Sequence, residues 1–106
     1  MADPPSTSVS DASRVVLTDG PRAGTVFPLI LKETLVGRID SADLILEDVT
    51  VSRLHARLFR KDEKVFIEDL HSREGTWVNS VVVGIPRQLQ EGDSIAFGDV
   101  VVTFTS

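Results

Sequence analysis

Glu91-Gly92-Asp93-Ser94-Ile95-Ala96-Phe97-Gly98-Asp99-Val100-Val101-Val102-Thr103-Phe104-Thr105 is the stretch that decides the fold class. Glu91-Gly92-Asp93 and Gly98-Asp99 are turn chemistry, and the residues between and after them alternate at the period of a β-strand. In the last run Val100, Val102 and Phe104 fall on one face, and Val101, Thr103 and Thr105 on the other. A half-buried strand of a sandwich has this pattern. Working back toward the N-terminus, short apolar runs separated by turn residues place further strands near 14–18, 25–30, 33–38, 44–46, 55–60, 64–69, 76–79 and 81–84, besides 94–97 and 100–105. Asp19-Gly20-Pro21 and Ala23-Gly24 break the first pair, and Lys61-Asp62-Glu63-Lys64 forms a charged hairpin tip. Helical periodicity is weak; the best candidate, 39–45, opens on Asp40-Ser41 and amounts at most to one turn in a loop. Without repeats or heptads, the expectation is an all-β chain folded as a two-sheet β-sandwich.

The 106 residues, 42% of them hydrophobic, suffice for one core and are too few for two. Residues 1–13, rich in Ser, Thr, Pro and Asp, lack the apolar surface to offset ordering entropy; they form an expected flexible leader, with the domain spanning 14–106. Absence of cysteine excludes disulfides and cysteine-based zinc sites, and fits a reducing compartment. Neither a signal peptide nor a run of about 18 apolar residues is present, so a cytoplasmic, intracellular protein without membrane attachment is expected. A net charge of −5 opposes non-specific binding to nucleic acid or anionic lipid. Yet Arg53, Arg57, Arg60, Lys61 and Lys64 crowd one stretch, which suggests a small basic site on an acidic body.

Candidate site residues fall in three segments. Gly37-Arg38 ends a strand, Ser52-Arg53-Leu54-His55 opens another, and Asp69-Leu70-His71-Ser72-Arg73-Glu74-Gly75-Thr76-Trp77-Val78-Asn79 surrounds a loop. Converging at one rim, they would give a phosphoryl group a guanidinium that can clamp it bidentately, a hydroxyl and inward-facing N–H groups. Each also has a plainer reading. Arg38 is a solvated charge, Ser52 a turn hydroxyl, Gly37 a steric necessity, and the Ser72 to Thr76 stretch an ordinary connection with positive φ at Gly75. His55 points inward, where an imidazole bonding loop backbone is favoured over catalysis or ligation. Asn79 is either a hairpin residue or an amide contacting a peptide main chain, and Trp77 and Val78 are assigned to the core. Ser52, His55 and Asp69 are the residue types of a hydrolase triad, but no Gly-x-Ser-x-Gly elbow accompanies them. The only two histidines lack paired spacing and no P-loop is present, so no enzyme, metal or cofactor is expected.

The order Gly-Arg, Ser-x-x-His, Asp-Leu-x-Ser-x-x-Gly-Thr-x-Val-Asn resembles the forkhead-associated (FHA) domain, a phosphothreonine-binding module, over roughly residues 14–105. The resemblance implies a sandwich of eleven strands, one more than read above, with the missing strand near 87–89. It implies that Arg38 and Ser52 contact phosphate, that Arg53 contacts phosphate or peptide backbone, and that the loop of Ser72, Arg73, Glu74 and Gly75 contacts phosphate and the residues after it. Gly37, His55, Gly75 and Thr76 would hold the loops. The sequence departs from the family where Glu74 and Arg73 precede Gly75-Thr76 in place of the usual Asn and small polar residue; Ser80 replaces the usual Gly. A carboxylate at 74 cannot donate a hydrogen bond and brings negative charge near an incoming phosphate, and Arg73 either pairs with it or reaches the phosphate.

The function expected is non-catalytic: a monomeric interaction module docking a phosphothreonine-containing protein or peptide on loops at one end of the sandwich. The alternative is a degenerate FHA-like module that binds protein partners independently of phosphate, Glu74 having spoiled the site. A weaker expectation is that phosphorylated Thr7 in the leader docks into the site of its own domain or of a neighbouring copy, helped by high effective concentration.

Overall fold

A computed structural model describes residues 13–106; Thr7 lies outside the described residues. Eleven strands build two facing sheets: β1 (Arg14–Leu17), β2 (Val26–Pro28), β3 (Glu33–Gly37), β4 (Leu44–Ile45), β5 (Ala56–Lys61), β6 (Lys64–Asp69), β7 (Thr76–Val78), β8 (Val81–Val82), β9 (Arg87–Gln88), β10 (Ser94–Phe97) and β11 (Val100–Thr105). One sheet has the order β2-β1-β11-β10-β7-β8, the other β4-β3-β5-β6-β9. The pairing of β3 with β4 is parallel and the remaining pairings are antiparallel. β9, the strand that only the family resemblance anticipated, pairs with β6 and closes the second sheet.

Alternation decides which side chains meet between the sheets. Val102 and Phe104 of β11 are buried with Ile95 and Phe97 of β10, Val15 of β1, Val36, Leu58, Ile67 and Val78, and Val100 packs against this cluster. The segment 39–45 contains a turn, with Ala42 N–H donating to the Ile39 carbonyl at 3.0 Å, and no helix. Ser13 is 4% exposed and its carbonyl accepts from Leu29 N–H at 2.9 Å, so the packed chain includes the residue assigned to the end of the leader.

Two sequence expectations change. Trp77 is 39% exposed rather than core, because Thr76 and Val78 take the inward positions of β7 and leave position 77 on the outer face, opposite Val82 and Ala96. The basic run is also not one patch. Arg57 faces outward and pairs with Glu68 (2.6 Å) and Glu33 (2.8 Å), its guanidinium 4.2 Å from the Phe59 ring centroid. Arg60 donates to the Leu29 carbonyl. Arg57 and Arg60, three residues apart, lie on opposite faces of β5, and each is engaged by partners away from the rim where Arg53 stands.

Candidate functional site

The site lies where β3, the β4–β5 loop and the β6–β7 loop meet. A Cβ at Gly37 would stand 2.0 Å from the Arg53 carbonyl oxygen, so only glycine lets the β4–β5 loop lie against the end of β3. Arg38 N–H seals that contact, shared between the carbonyls of Ser52 and Arg53 at 3.1 Å each. Arg38 Nε donates to the Val51 carbonyl at 2.9 Å, which fixes the plane of the guanidinium and leaves its two terminal nitrogens for a ligand. An open cleft follows, lined by Arg38, Val49, Ser52, Arg53, Leu54 and Arg73. Neither Arg53 nor Arg73 has an ion pair among the described residues, and Arg73 does not pair with its neighbour Glu74.

Ser52 Oγ accepts a hydrogen bond from Arg73 N–H at 2.9 Å. A hydroxyl so held keeps its proton to donate to another acceptor. The same bond ties the two loops together. The N–H groups of Arg53, Leu54 and Glu74 meet no acceptor among the described residues, which leaves them available as further donors at this rim.

Asp69, at the end of β6, shapes the second loop. Its Oδ1 accepts from Ser72 Oγ (2.5 Å) and Thr76 Oγ1 (2.6 Å), and its Oδ2 from Ser72 N–H (3.1 Å). Burial pushes the Asp69 carboxyl up, but the bonds from Ser72 and Thr76 outweigh it and hold the group below the ordinary aspartate range. Ser72 Oγ also accepts from Gly75 N–H at 3.0 Å. The Ser72 hydroxyl and N–H therefore both act inside the loop rather than facing the cleft. Gly75 takes φ 91°, which the turn into β7 demands.

His55 is fully buried and joins the loops from beneath. Its Nδ1 accepts from Ser52 N–H at 3.0 Å, which makes Nε2 the protonated nitrogen, and Nε2 donates to the Gly75 carbonyl at 2.9 Å. The ring stands edge-on to Phe97, centroids 5.7 Å apart. With both nitrogens engaged, the imidazole has none left to take a proton from Ser52 Oγ, and Asp69 is bonded to Ser72 and Thr76. The Ser52, His55 and Asp69 residue types do not assemble a triad.

A third element, unanticipated from the sequence, supports both loops. In the β10–β11 turn, Asp99 N–H donates to Thr50 Oγ1 at 2.8 Å and Gly98 N–H donates to the Gly75 carbonyl at 3.2 Å. Thr50 Oγ1 in turn donates to Asp48 Oδ1 at 2.6 Å, and Thr50 N–H to the same oxygen at 2.9 Å. These bonds, the hydroxyl's first, hold the Asp48 carboxyl below its ordinary range. A Cβ at Gly98, which has φ 60°, would lie 2.4 Å from the Thr50 carbonyl oxygen. No local sequence signal marks this strut, since Thr50 and Gly98 meet only through the sandwich.

Asn79 is not brought to the cleft. It sits at the opposite end of β7 from the loop, at φ 50° with Ser80 at 69°, in the two-residue β7–β8 turn. Its Nδ2 donates to Asp93 Oδ1 at 2.8 Å and its Oδ1 accepts from Ser94 N–H at 2.9 Å. Of the two readings open for Asn79, the hairpin residue is the one whose geometry is present.

A model of the FHA domain family matches residues 34–98, which include the whole of this rim. The chain belongs to the FHA domain family. It is 37% identical over 101 residues to an oxoglutarate dehydrogenase inhibitor of Corynebacterium diphtheriae, covering 92% of this chain and 68% of the relative. To the glycogen accumulation regulator GarA of Mycolicibacterium smegmatis it is 35% identical over 95 residues, covering 90% of this chain and 60% of that protein. This FHA domain thus spans about two thirds or less of the length of those relatives. Among solved structures, an FHA domain studied for phosphothreonine-dependent interactions superimposes with a TM-score of 0.82 at 29% identity, over 90% of this chain and 96% of that one. The relatives are named as inhibitor and regulator proteins.

Proposed function

We propose that this FHA domain is a non-catalytic reader that docks a phosphothreonine segment of a partner protein into the cleft between Arg38, Ser52, Arg53 and Arg73. The observation that carries this is the preset donor array: a guanidinium oriented by the Val51 carbonyl and a hydroxyl oriented by Arg73 N–H, beside cations with no ion pair among the described residues. A phosphothreonine brings about −1.5 to −2 charge and three acceptor oxygens, which this array matches without rearrangement. Gly37, His55, Asp69, Ser72, Gly75 and Thr76 hold the loops rather than touch the ligand. Val49, 91% exposed, and Leu54 put apolar carbon beside the guanidinium groups, where a threonine γ-methyl gains a contact that serine lacks.

Binding of a degenerate phosphothreonine peptide library, with phosphoserine and unphosphorylated counterparts, tests the reading in wild type and Arg38→Ala. Charge-assisted hydrogen bonds contribute about 1.5–3 kcal/mol each, so Arg38→Ala is expected to weaken binding roughly tenfold to a hundredfold. Selective capture of phosphothreonine peptides, lost in the variant, supports the reader. Equal binding by the variant, or no capture by wild type, overturns it and turns attention to partners bound independently of phosphate.

A further inference from the structure

Residues 73 and 74 sit side by side at the tip of the β6–β7 loop with opposite charges, yet they form no ion pair. The loop keeps them apart. Arg73 N–H is held by Ser52 Oγ at 2.9 Å, and its side chain lines the phosphate cleft. The Glu74 carbonyl accepts from Trp77 Nε1 at 3.3 Å, and Gly75 N–H is held by Ser72 Oγ, so the backbone on both sides of the Glu74 side chain is fixed. The outward turn of Trp77 contributes here: its indole lies against Gly75, where an added Cβ would meet Nε1 at 3.0 Å. The Glu74 carboxylate is exposed and has no hydrogen bond or ion pair among the described residues.

An unpaired carboxylate one residue from a phosphate-binding arginine has a definite consequence for the ligand. Ionised, it only accepts hydrogen bonds, and it repels both the doubly charged phosphate and any acidic side chain that follows. Arg73 does not neutralise it, because that cation belongs to the phosphate cleft. The group that removes the conflict is a cation carried by the partner. Resting on the phosphothreonine reading above, we infer that Glu74 is a specificity-determining residue that selects a phosphothreonine segment with a lysine or arginine near the phosphorylated residue and rejects one with an acidic residue there. An extended peptide advances about 3.3 Å per residue, so the basic side chain belongs within about three residues of the phosphothreonine.

Fluorescence anisotropy with labelled phosphothreonine peptides, identical except for Lys, Gln or Glu placed at one flanking position at a time, tests this in wild type, Glu74→Gln and Arg73→Gln. Wild type is expected to favour Lys over Gln about twofold to fivefold at one position, in keeping with a partly exposed ion pair, with the preference shrinking as salt is raised. Glu74→Gln should lose that preference while keeping its discrimination between phosphorylated and unphosphorylated peptide. Arg73→Gln should weaken every phosphopeptide and keep the Lys preference. The same Lys preference in Glu74→Gln would overturn the assignment and move the anionic contact elsewhere, for instance to Glu47 and Asp48 of the β4–β5 loop. Phosphothreonine binding without any Lys preference in wild type would overturn this inference alone. Absence of all phosphopeptide binding would overturn it together with the reading on which it rests.

Discussion

At one end of the β5–β6 pair, Lys61 faces Lys64 and the chain reverses through Asp62 and Glu63 at φ 53° and 63°. At the other end, Ala56 faces Asp69, and the chain runs out into the loops that form the proposed phosphate cleft. The tip is closed by the backbone ladder and a two-residue turn, with no side chain needed to hold it. The rim is held by side chains: His55, Asp69, Ser72, Thr50 and Asp48 take up loop N–H groups and carbonyls one by one, and the Thr76 hydroxyl donates to Asp69 beneath them. A loop that only reverses the chain can satisfy its own backbone. One that must leave N–H groups unbonded for a ligand needs a fixed polar scaffold underneath, because an unsupported loop would close on its own donors.

The sharpest way to break this contrast is to remove the buried imidazole. His55→Ala deletes the acceptor for Ser52 N–H and the donor to the Gly75 carbonyl, and leaves a void against Phe97. Cavity and unsatisfied groups together are expected to cost about 2–5 kcal/mol, read by urea denaturation, with phosphopeptide binding lost as both loops shift. Unchanged stability would mean that His55 does not organise the rim.

Next in size is Gly98→Ala, which tests whether the strut beneath the loops acts on binding or merely on folding. The added Cβ enters the space of the Thr50 carbonyl, and a left-handed φ disfavours alanine by roughly 1–2 kcal/mol before any clash. The β4–β5 loop has to move to admit it. We expect a stability loss of about 1–3 kcal/mol together with a phosphopeptide affinity reduced severalfold at a temperature where the variant remains folded. Full affinity in the folded variant would reduce Gly98 to a fold-level role.

The difference between the two ends also explains what could be read from the sequence. The tip was legible because its chemistry is local: four consecutive residues, Lys61 to Lys64, contain the whole turn. Alternation likewise disclosed the inward faces of β10 and β11. The groups bound for the cleft were legible as a spaced set, and the family resemblance supplied the β9 strand that two residues of weak pattern, Arg87-Gln88, could not. Illegible were the contacts made by the sandwich itself. Thr50 meets Gly98 and Asp99 across the two sheets, and Arg57 and Arg60 find partners in distant segments, so the basic run seemed larger than the patch it leaves. Trp77 was misplaced because residue type argues for burial while its register in β7 puts it outside. Asn79 carried two meanings until the turn showed both ends of its amide engaged.

Acid titration probes the rim more gently. Asp69 has a folded pKa below its unfolded value, so its contribution is fully present above about pH 4, near the unfolded value, and is lost as pH falls through the folded value. Stability of the peptide-free domain is therefore expected to fall in that acid window, and Asp69→Asn should be less stable at neutral pH and flatten this part of the profile. The phosphate group titrates near pH 6, so a weakening of peptide affinity there belongs to the ligand and leaves peptide-free stability unchanged. A profile for Asp69→Asn parallel to wild type would remove Asp69 from its place in the scaffold.

The smallest expected effect comes from the other end. Replacing Asp62-Glu63 by Asn-Gly installs the residues that a two-residue turn with positive φ at both positions prefers. Relief of strain at position 63 is partly offset by the greater freedom of glycine in the unfolded chain, so the gain is a few tenths to about 1 kcal/mol. In a domain of this size that is a rise of at most about 4–8 °C in the midpoint of thermal unfolding. Phosphopeptide affinity is expected to stay at the wild-type value, because the ladder of β5 and β6 already fixes Ala56 and Asp69 and the tip transmits nothing further to the rim. An affinity change here would show that the two ends of the pair are mechanically coupled, and that the scaffold of the cleft extends along the whole strand pair instead of ending at His55 and Asp69.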